Sequence, residues 1–448
     1  MNRRRFAAAL GGGAAAWQWP PARNANAASQ STVKPLGSSM AQPVRDPLVA
    51  MRAVMQMAGA PFDAVWRDPR FELQVIYTRI ERRAPASTAA SLGTPEAAPA
   101  PVLTPHRFGV APQRWWAPAS LVKLPVAALA LERVSELAAR GAKGLTRDTP
   151  FALRSAMRCV QVSAAERESV ARAIRRMFVV SENEPFNRLY EMLGQNRIHQ
   201  RFAAMGLAHS RVINRIAPCS PADNRITGAV EFLDAGERVL ARIEGETAQE
   251  LRRFPHGKAL KGSAWVEGGK TIPGPHDFSD RNFIPLDDAH RMLIALVTPE
   301  ALPLAQRFAL DDDALIFLRQ CMGMLPAECP DPLYDARDFP ETYSKYLLGG
   351  SGLAPLPPQV RSFNKVGRSF GYLSDCAYVV DAARGAEFFL SASLYVNEDG
   401  VLNDGRYEYK ETGWPFLAAL GRAALEVDAA RPRAQPSVRL GADGRFAQ

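Results

Sequence analysis

Residues 118–134 read PASLVKLPVAALALERV. From Leu121 onward the apolar side chains recur at the spacing of a helix with a broad buried face. The first turn of that helix nevertheless carries a hydroxyl, Ser120, and an amine, Lys123. Residues three apart share one face, so the two groups can reach each other. A serine hydroxyl becomes a nucleophile when a base takes its proton. An ammonium ordinarily titrates too high to be that base. Burial disfavours its charge, and so does the positive end of a helix. The same helix start offers free backbone N–H groups to a developing oxyanion. The plainer reading is a serine N-cap followed by a lysine whose stem lies along the surface. Ser-x-x-Lys occurs at Ser31/Lys34, Ser120/Lys123 and Ser362/Lys365, and only the second opens an apolar helix.

Two later stretches add chemistry in order. VVSENEPFNRLYEMLG contains Ser181-Glu182-Asn183, and NKVGRSFGYLSDCAYVVD contains Lys365-Val366-Gly367 ahead of a strand. Taken alone, Ser-Glu-Asn before Pro185 is an ordinary helix cap. Together with the Ser-x-x-Lys helix, the set resembles the penicillin-recognising serine hydrolases, the class A β-lactamases and D,D-peptidases, which carry Ser-x-x-Lys, Ser-Asp-Asn and Lys-Thr-Gly. The resemblance covers residues 60–230 and 360–430. It implies an α/β (α+β) fold: an antiparallel sheet built from both chain ends, flanked by helices, with an inserted all-helical lobe. It implies Ser120 as nucleophile, Lys123 as its base, and Ser181 as a proton relay. Asn183 would bind Lys123 and a substrate carbonyl, and Lys365 a substrate carboxylate. Gly367 completes the third motif. The backbone N–H of Arg368 would be an oxyanion donor beside that of Ser120.

The departures bear on turnover. Glu182 stands where the motif has Asp. Val366 stands where it has Thr, which removes a hydroxyl for the carboxylate; Ser369 or the Arg368 side chain is expected to substitute. Class A β-lactamases activate the deacylating water with a loop glutamate. The corresponding position falls near Ala217, and no Glu occurs between Glu191 and Glu231. Asp223 is the nearest carboxylate. Lys270-Thr271-Ile272 mimics the third motif without its glycine. The expected activity is therefore an acyl-Ser120 hydrolase acting on β-lactams or related amides and esters, with slow deacylation. The alternatives are a D,D-peptidase or transpeptidase acting on cell-wall peptides, and a penicillin-binding or sensor protein without turnover.

Composition bounds the rest. The chain has 448 residues, 47% hydrophobic and 23% charged, enough for a large core in two lobes. The net charge is +9, but the basic residues are scattered and no aromatic-interleaved stripe occurs, so no nucleic-acid partner is expected. Residues 1–27 have a basic start, Arg3-Arg4-Arg5, a short apolar run and the small-x-small site Ala25-Asn26-Ala27, which reads as a signal peptide with a twin-arginine flavour. Export to the periplasm or medium follows, with no membrane span and a monomer expected. His256, His276, Asp277, Asp280 and His290 match no metal-ligand spacing, so neither metal nor cofactor is expected. Of the five cysteines, Cys321 and Cys329 are close enough in sequence to bridge.

Composition shifts divide the chain into a leader (28–45), a first sheet part (46–117), the helical lobe with an extended insertion (118–348), a linker (349–360), a second sheet part (361–430) and a tail (431–448). Within it Phe71–Arg82, Cys376–Ala383 and Ala386–Val396 read as strands, and Ala84–Pro105 as a surface loop. Val160–Val179, Pro185–Gly194, Ile198–Gly206, Gly228–Ala241, Asp287–Leu296, Asp312–Met324 and Trp414–Val427 read as helices. The insertion is expected to act as a substrate-shaping lid.

Overall fold

The computed structural model describes residues 46–59, 62–82, 100–155, 157–160, 167–249, 252–433 and 443–445. The expected signal peptide and leader lie outside the described residues. The main sheet has five strands: β1 (Gln74–Glu81), β2 (Val102–Phe108), β3 (Val360–Ser369), β4 (Tyr372–Asp381) and β5 (Ala386–Tyr395). Their spatial order is β3-β4-β5-β1-β2, with every neighbouring pair antiparallel. The sheet is thus built from both chain ends, as the resemblance implied.

Every residue of β4 is buried, including the polar Ser374, Asp375 and Asp381. Both sheet faces are covered. On one face, α1 (Pro47–Met57) and α7 (Trp414–Ala429) bury Leu48, Met51, Phe416 and Leu420 against Val75, Leu373 and Leu394. Buried Asp428 anchors α7 to the sheet by accepting hydrogen bonds from Tyr77 Oη at 2.6 Å and the Glu387 amide at 2.8 Å. On the other face lies a larger core. It is built by α2 (Lys123–Ala139), α3 (Val170–Val179), α4 (Asn183–Ala204), α5 (Leu286–Val297) and α6 (Asp312–Gly323). Helix α4 is broken at Gly194, whose φ of 67° explains why two helical patterns are read there.

The inserted lobe is not all-helical. A four-stranded sheet runs through it in the order Glu168–Ser169, Pro150–Leu153, Val230–Leu233, Val239–Ile243. The helix expected over Gly228–Ala241 is a hairpin. The Asp234 carboxylate accepts from the amides of Gly236 and Arg238, each at 2.9 Å, and closes its turn. The helix expected from Val160 begins at Val170, where Ser169 caps it through the Arg172 amide. The surface loop expected over Ala84–Pro105 gives way to β2 at Val102, and residues 83–99 lie outside the described residues.

The cysteines also differ from the expectation. Cys159 and Cys219 form the disulfide, while Cys321, Cys329 and Cys376 are buried thiols. In the insertion, strand Ala264–Glu267 pairs with Lys270–Pro273 and, in parallel, with Val401–Leu402. Phe278 stacks on Trp115 with ring centroids 4.4 Å apart and meets Phe370 edge-on at 5.0 Å. The insertion therefore packs beside the segment leading to Ser120 and the turn between β3 and β4. Of the tail, Asp443 accepts a hydrogen bond from Gln320 of α6 at 2.8 Å.

Candidate active site

Ser120 does not sit on an α-helix. Residues Ala119–Val122 form a 3₁₀ turn, and α2 starts at Lys123. In 3₁₀ geometry side chains three apart eclipse, which brings this pair closer than α-helical spacing does. Lys123 Nζ lies 2.8 Å from Ser120 Oγ. It also donates to Ser181 O at 2.6 Å and Asn183 Oδ1 at 2.7 Å, with Ser181 Oγ at 3.3 Å. Four acceptors surround a group with three protons. Lys123 is fully buried, and its amine is held well below the ordinary lysine value. Burial is the main cause, the neighbouring charge of Lys365 adds to it, and Glu182 opposes it. A neutral amine at this place can accept the Ser120 proton.

Ser181 occupies the left-handed region at φ 62°, a strained conformation for a residue with a Cβ. The turn places its hydroxyl between two lysines. Lys365 Nζ donates to Ser181 Oγ at 2.8 Å and to Val366 O at 3.1 Å. Lys365 is buried, and burial pushes its amine down to about 7, with the Lys345 charge adding and Asp375 opposing. Glu182 faces away from the reacting groups: it accepts from Tyr334 Oη at 2.8 Å and pairs with Arg176 of α3 at 2.7 Å.

Strand β3 lies at the edge of the main sheet, against the Ser120 turn. Gly367 is required there. A Cβ would stand 2.5 Å from Pro118 O and 2.6 Å from Ser374 Oγ. Alternation along β3 puts Lys365, Gly367 and Ser369 on one face and Val366 and Arg368 on the other. Val366 is buried in the α1–α7 core. The Arg368 guanidinium lies over the rings of Trp414 and Tyr409, at 5.6 and 5.9 Å. Its side chain therefore does not replace the missing threonine hydroxyl. Ser369, half-buried on the Lys365 face, keeps that possibility.

The loop Arg211–Gly228 is tied down without a base. Asn187 accepts from the Ile216 amide at 2.8 Å, and Arg215 pairs with buried Glu191 at 2.5 Å. Cys219 is bridged to Cys159. Asp223 is half-buried and accepts from Ser220 Oγ at 2.7 Å and Arg158 at 3.2 Å. These partners hold its carboxyl below the ordinary range.

Sequence reading missed a second buried charged set behind β3: Lys345, Asn364 and Asp375. Lys345 belongs to no motif, and its only signal is a lone lysine in the run Tyr343–Gly350. Among the described residues no group of three or more His, Cys, Asp or Glu is placed to hold a metal. His290 sits instead between Thr78 and Ser391 hydroxyls, each at 2.8 Å.

The sequence profile of the Beta-lactamase enzyme family matches residues 100–307, a span that holds the first two motifs and ends before Lys365. No curated protein matches the chain. Among solved structures, a beta-lactamase from Sphaerobacter thermophilus DSM 20745 is similar at 11% identity, over 87% of this chain and 98% of that one, with a TM-score of 0.43. A mutant of PBP-A, in an acyl-enzyme complex with penicillin G, is similar at 12% identity over 86% and 98%, with a TM-score of 0.43. A class A beta-lactamase from Mycobacterium abscessus is similar at 13% identity over 85% and 98%, with a TM-score of 0.42. Over residues 100–307, a little under half of its length, this chain is similar to the Beta-lactamase enzyme family.

Proposed function

We propose that this protein is an exported serine hydrolase that is acylated at Ser120 by β-lactams or related carboxylate-bearing amides and esters, and that it deacylates slowly. The observation that carries the reading is the 2.8 Å approach of a fully buried lysine amine, Lys123, to Ser120 Oγ. In the proposed first step neutral Lys123 takes the Ser120 proton as Oγ bonds to the substrate carbonyl carbon. The carbonyl electrons move to oxygen, where the N–H groups of Ser120 and Arg368 are the proposed donors. As the C–N bond breaks, Ser181 gives its proton to the leaving nitrogen and regains one from Lys123. Asn183 orients Lys123 through its Oδ1. Protonated Lys365 holds the substrate carboxylate. The Cys159–Cys219 bridge supports an oxidising destination.

The test is incubation with benzylpenicillin, intact-mass measurement, and peptide mapping. The expected adduct is one penicilloyl group on the peptide holding Ser120. Ser120→Ala should lose it and stay folded, since the lost Lys123 contact is worth only about 1 kcal/mol. Labelling retained in that variant would remove Ser120 from the mechanism. A D,D-peptidase is the second reading. It is favoured by the loop Arg211–Gly228, where the nearest carboxylate, Asp223, is engaged by Ser220 and Arg158. Release of D-alanine from peptides ending in D-Ala-D-Ala would support it.

A further inference from the structure

The turn that carries Ser181 is gripped from outside by one carboxylate. Helix α3 ends at Val179, and Ser181 follows its cap in the left-handed conformation that usually belongs to glycine. The next residue, Glu182, uses both carboxylate oxygens. Oε1 accepts from Tyr334 Oη at 2.8 Å, and Oε2 accepts from Arg176 Nη2 at 2.7 Å and Nε at 3.1 Å. The Glu182 backbone amide donates to Arg176 O at 3.1 Å. Tyr334 belongs to the insertion, 152 positions further along the chain. Its ring meets Phe339 edge-on at 5.2 Å, and Phe339 meets Tyr343 at 5.1 Å. These rings and Cys329 pack over Val179 and Val180, the two residues before Ser181. Asp331 fastens the same segment to α3. Its carboxylate accepts from Arg172 Nε at 3.1 Å, and its carbonyl accepts from Arg175 Nε at 3.2 Å.

We propose that Tyr334 is a positioning residue for Ser181, acting through Glu182: the insertion supplies a hydroxyl that, together with Arg176, holds the turn in the conformation that aims the Ser181 carbonyl and hydroxyl at Lys123. Ser181 and Asn183 supply three of the four acceptors around Lys123 Nζ, so the aim of this turn sets where the amine points. A turn relaxed out of the left-handed region would swing the Ser181 carbonyl away from that amine. The proposal also accounts for the glutamate in Ser181-Glu182-Asn183. An aspartate, one methylene shorter, would not span from the turn to Arg176 and Tyr334 together. Glu182 is thus matched to a partner that the insertion brings. For its bearing on catalysis the inference rests on the acyl-Ser120 reading.

Hydrogen exchange reads the clamp without substrate. Two variants of the full chain conserve charge: Tyr334→Phe removes only the hydroxyl, and Glu182→Asp shortens the reach of the carboxylate. In each, the Glu182 amide should exchange about 10-fold faster than in the parent, as loss of a hydrogen bond to a charged group implies. Amides of β4 and α7 should keep the parent rate. The double variant should exceed the faster single by no more than about twofold, because both changes remove the same contact. Unchanged Glu182 exchange in folded Tyr334→Phe, or acceleration spread equally along the chain, would overturn the proposal. Stopped-flow acylation over a range of benzylpenicillin concentrations then separates non-covalent binding from the acylation step. The acylation rate constant should fall about 10-fold in either variant while binding stays at the parent value. Faster exchange with unchanged acylation would support the clamp and fault the relay role given to Ser181. A parent chain that takes no penicilloyl group would fault the acyl-Ser120 reading alone, and the exchange result would still decide the clamp.

Discussion

Two lysine amines meet one serine hydroxyl at the centre of this molecule. Lys123 and Lys365 approach Ser181 Oγ at 3.3 and 2.8 Å, and both are buried. A lysine is placed in such surroundings at a cost to folding, and the cost has a pH signature. In the folded chain Lys365 titrates at about 7, below the ordinary 10.5. Between these values the unfolded chain holds the extra proton, so the contribution of Lys365 to stability rises with pH across that window. Below about 7 the full penalty is present. Parent stability relative to Lys365→Met should therefore increase from pH 7 to 10, on the order of 1 kcal/mol per pH unit. Urea unfolding of both proteins at three pH values checks this, and a flat difference would contradict it. Ser120, Lys123, Ser181 and Lys365 were legible in the sequence because each lies in a short spacing that chemistry restricts. Lys345 and Asp375 were not, because a long-range buried pair leaves no local spacing.

At the scale of elements, the site depends on how closely β3 approaches the 3₁₀ turn. Gly367→Ala would put a methyl 2.5 Å from Pro118 O, a backbone atom that cannot swing aside. The expected outcome is a loss of penicillin labelling rate of at least about 10-fold, as a 1 Å misplacement of reacting groups costs about 10²-fold. Circular dichroism should still show a folded chain. Parent-like labelling would mean that the turn tolerates the displacement. The loop Arg211–Gly228 is a second such element. Its disulfide closes a separation of 60 residues, for which chain entropy gives about 4 kcal/mol. Replacing Cys159 and Cys219 by serine should lower the unfolding free energy by about 2–4 kcal/mol in urea. It should leave Ser120 labelling intact, because Asn187 and Arg215 still hold the loop.

The elements that misread did so for physical reasons. Ala229, Phe232 and Leu233 have the i, i+3, i+4 spacing of a helical face, and the strand wins because the segment pairs with Pro150–Leu153 from far along the chain. The Cys159–Cys219 bridge is likewise set by tertiary placement, whereas Cys321 and Cys329, eight positions apart, are both buried free thiols, one in α6 and one just after the turn Pro326–Glu328. Trp414–Ala429 needed no partner to be recognised, since its apolar spacing and Pro415 at its start are local signals.

For the whole molecule, the proposed function sets the groups that would make an acyl bond apart from those that would break it. The 3₁₀ turn, the start of α2, the turn before α4 and the sheet edge bring Ser120, Lys123, Ser181 and Lys365 together, the groups proposed as nucleophile, base, relay and carboxylate anchor. The loop that would carry a water-activating carboxylate carries Ala217 there, and Asp223 is committed to Ser220 and Arg158. Losing a general base costs about 10²–10⁴ in rate. The most direct measurement mixes the protein with a chromogenic β-lactam in a stopped flow, with mass spectra of quenched samples taken alongside. The account predicts a burst of about one equivalent per protein, a Ser120 adduct rising with it, and a slow steady phase matching the decay of that adduct. Efficient turnover with no burst and no adduct, or a burst that survives in Ser120→Ala, would contradict it.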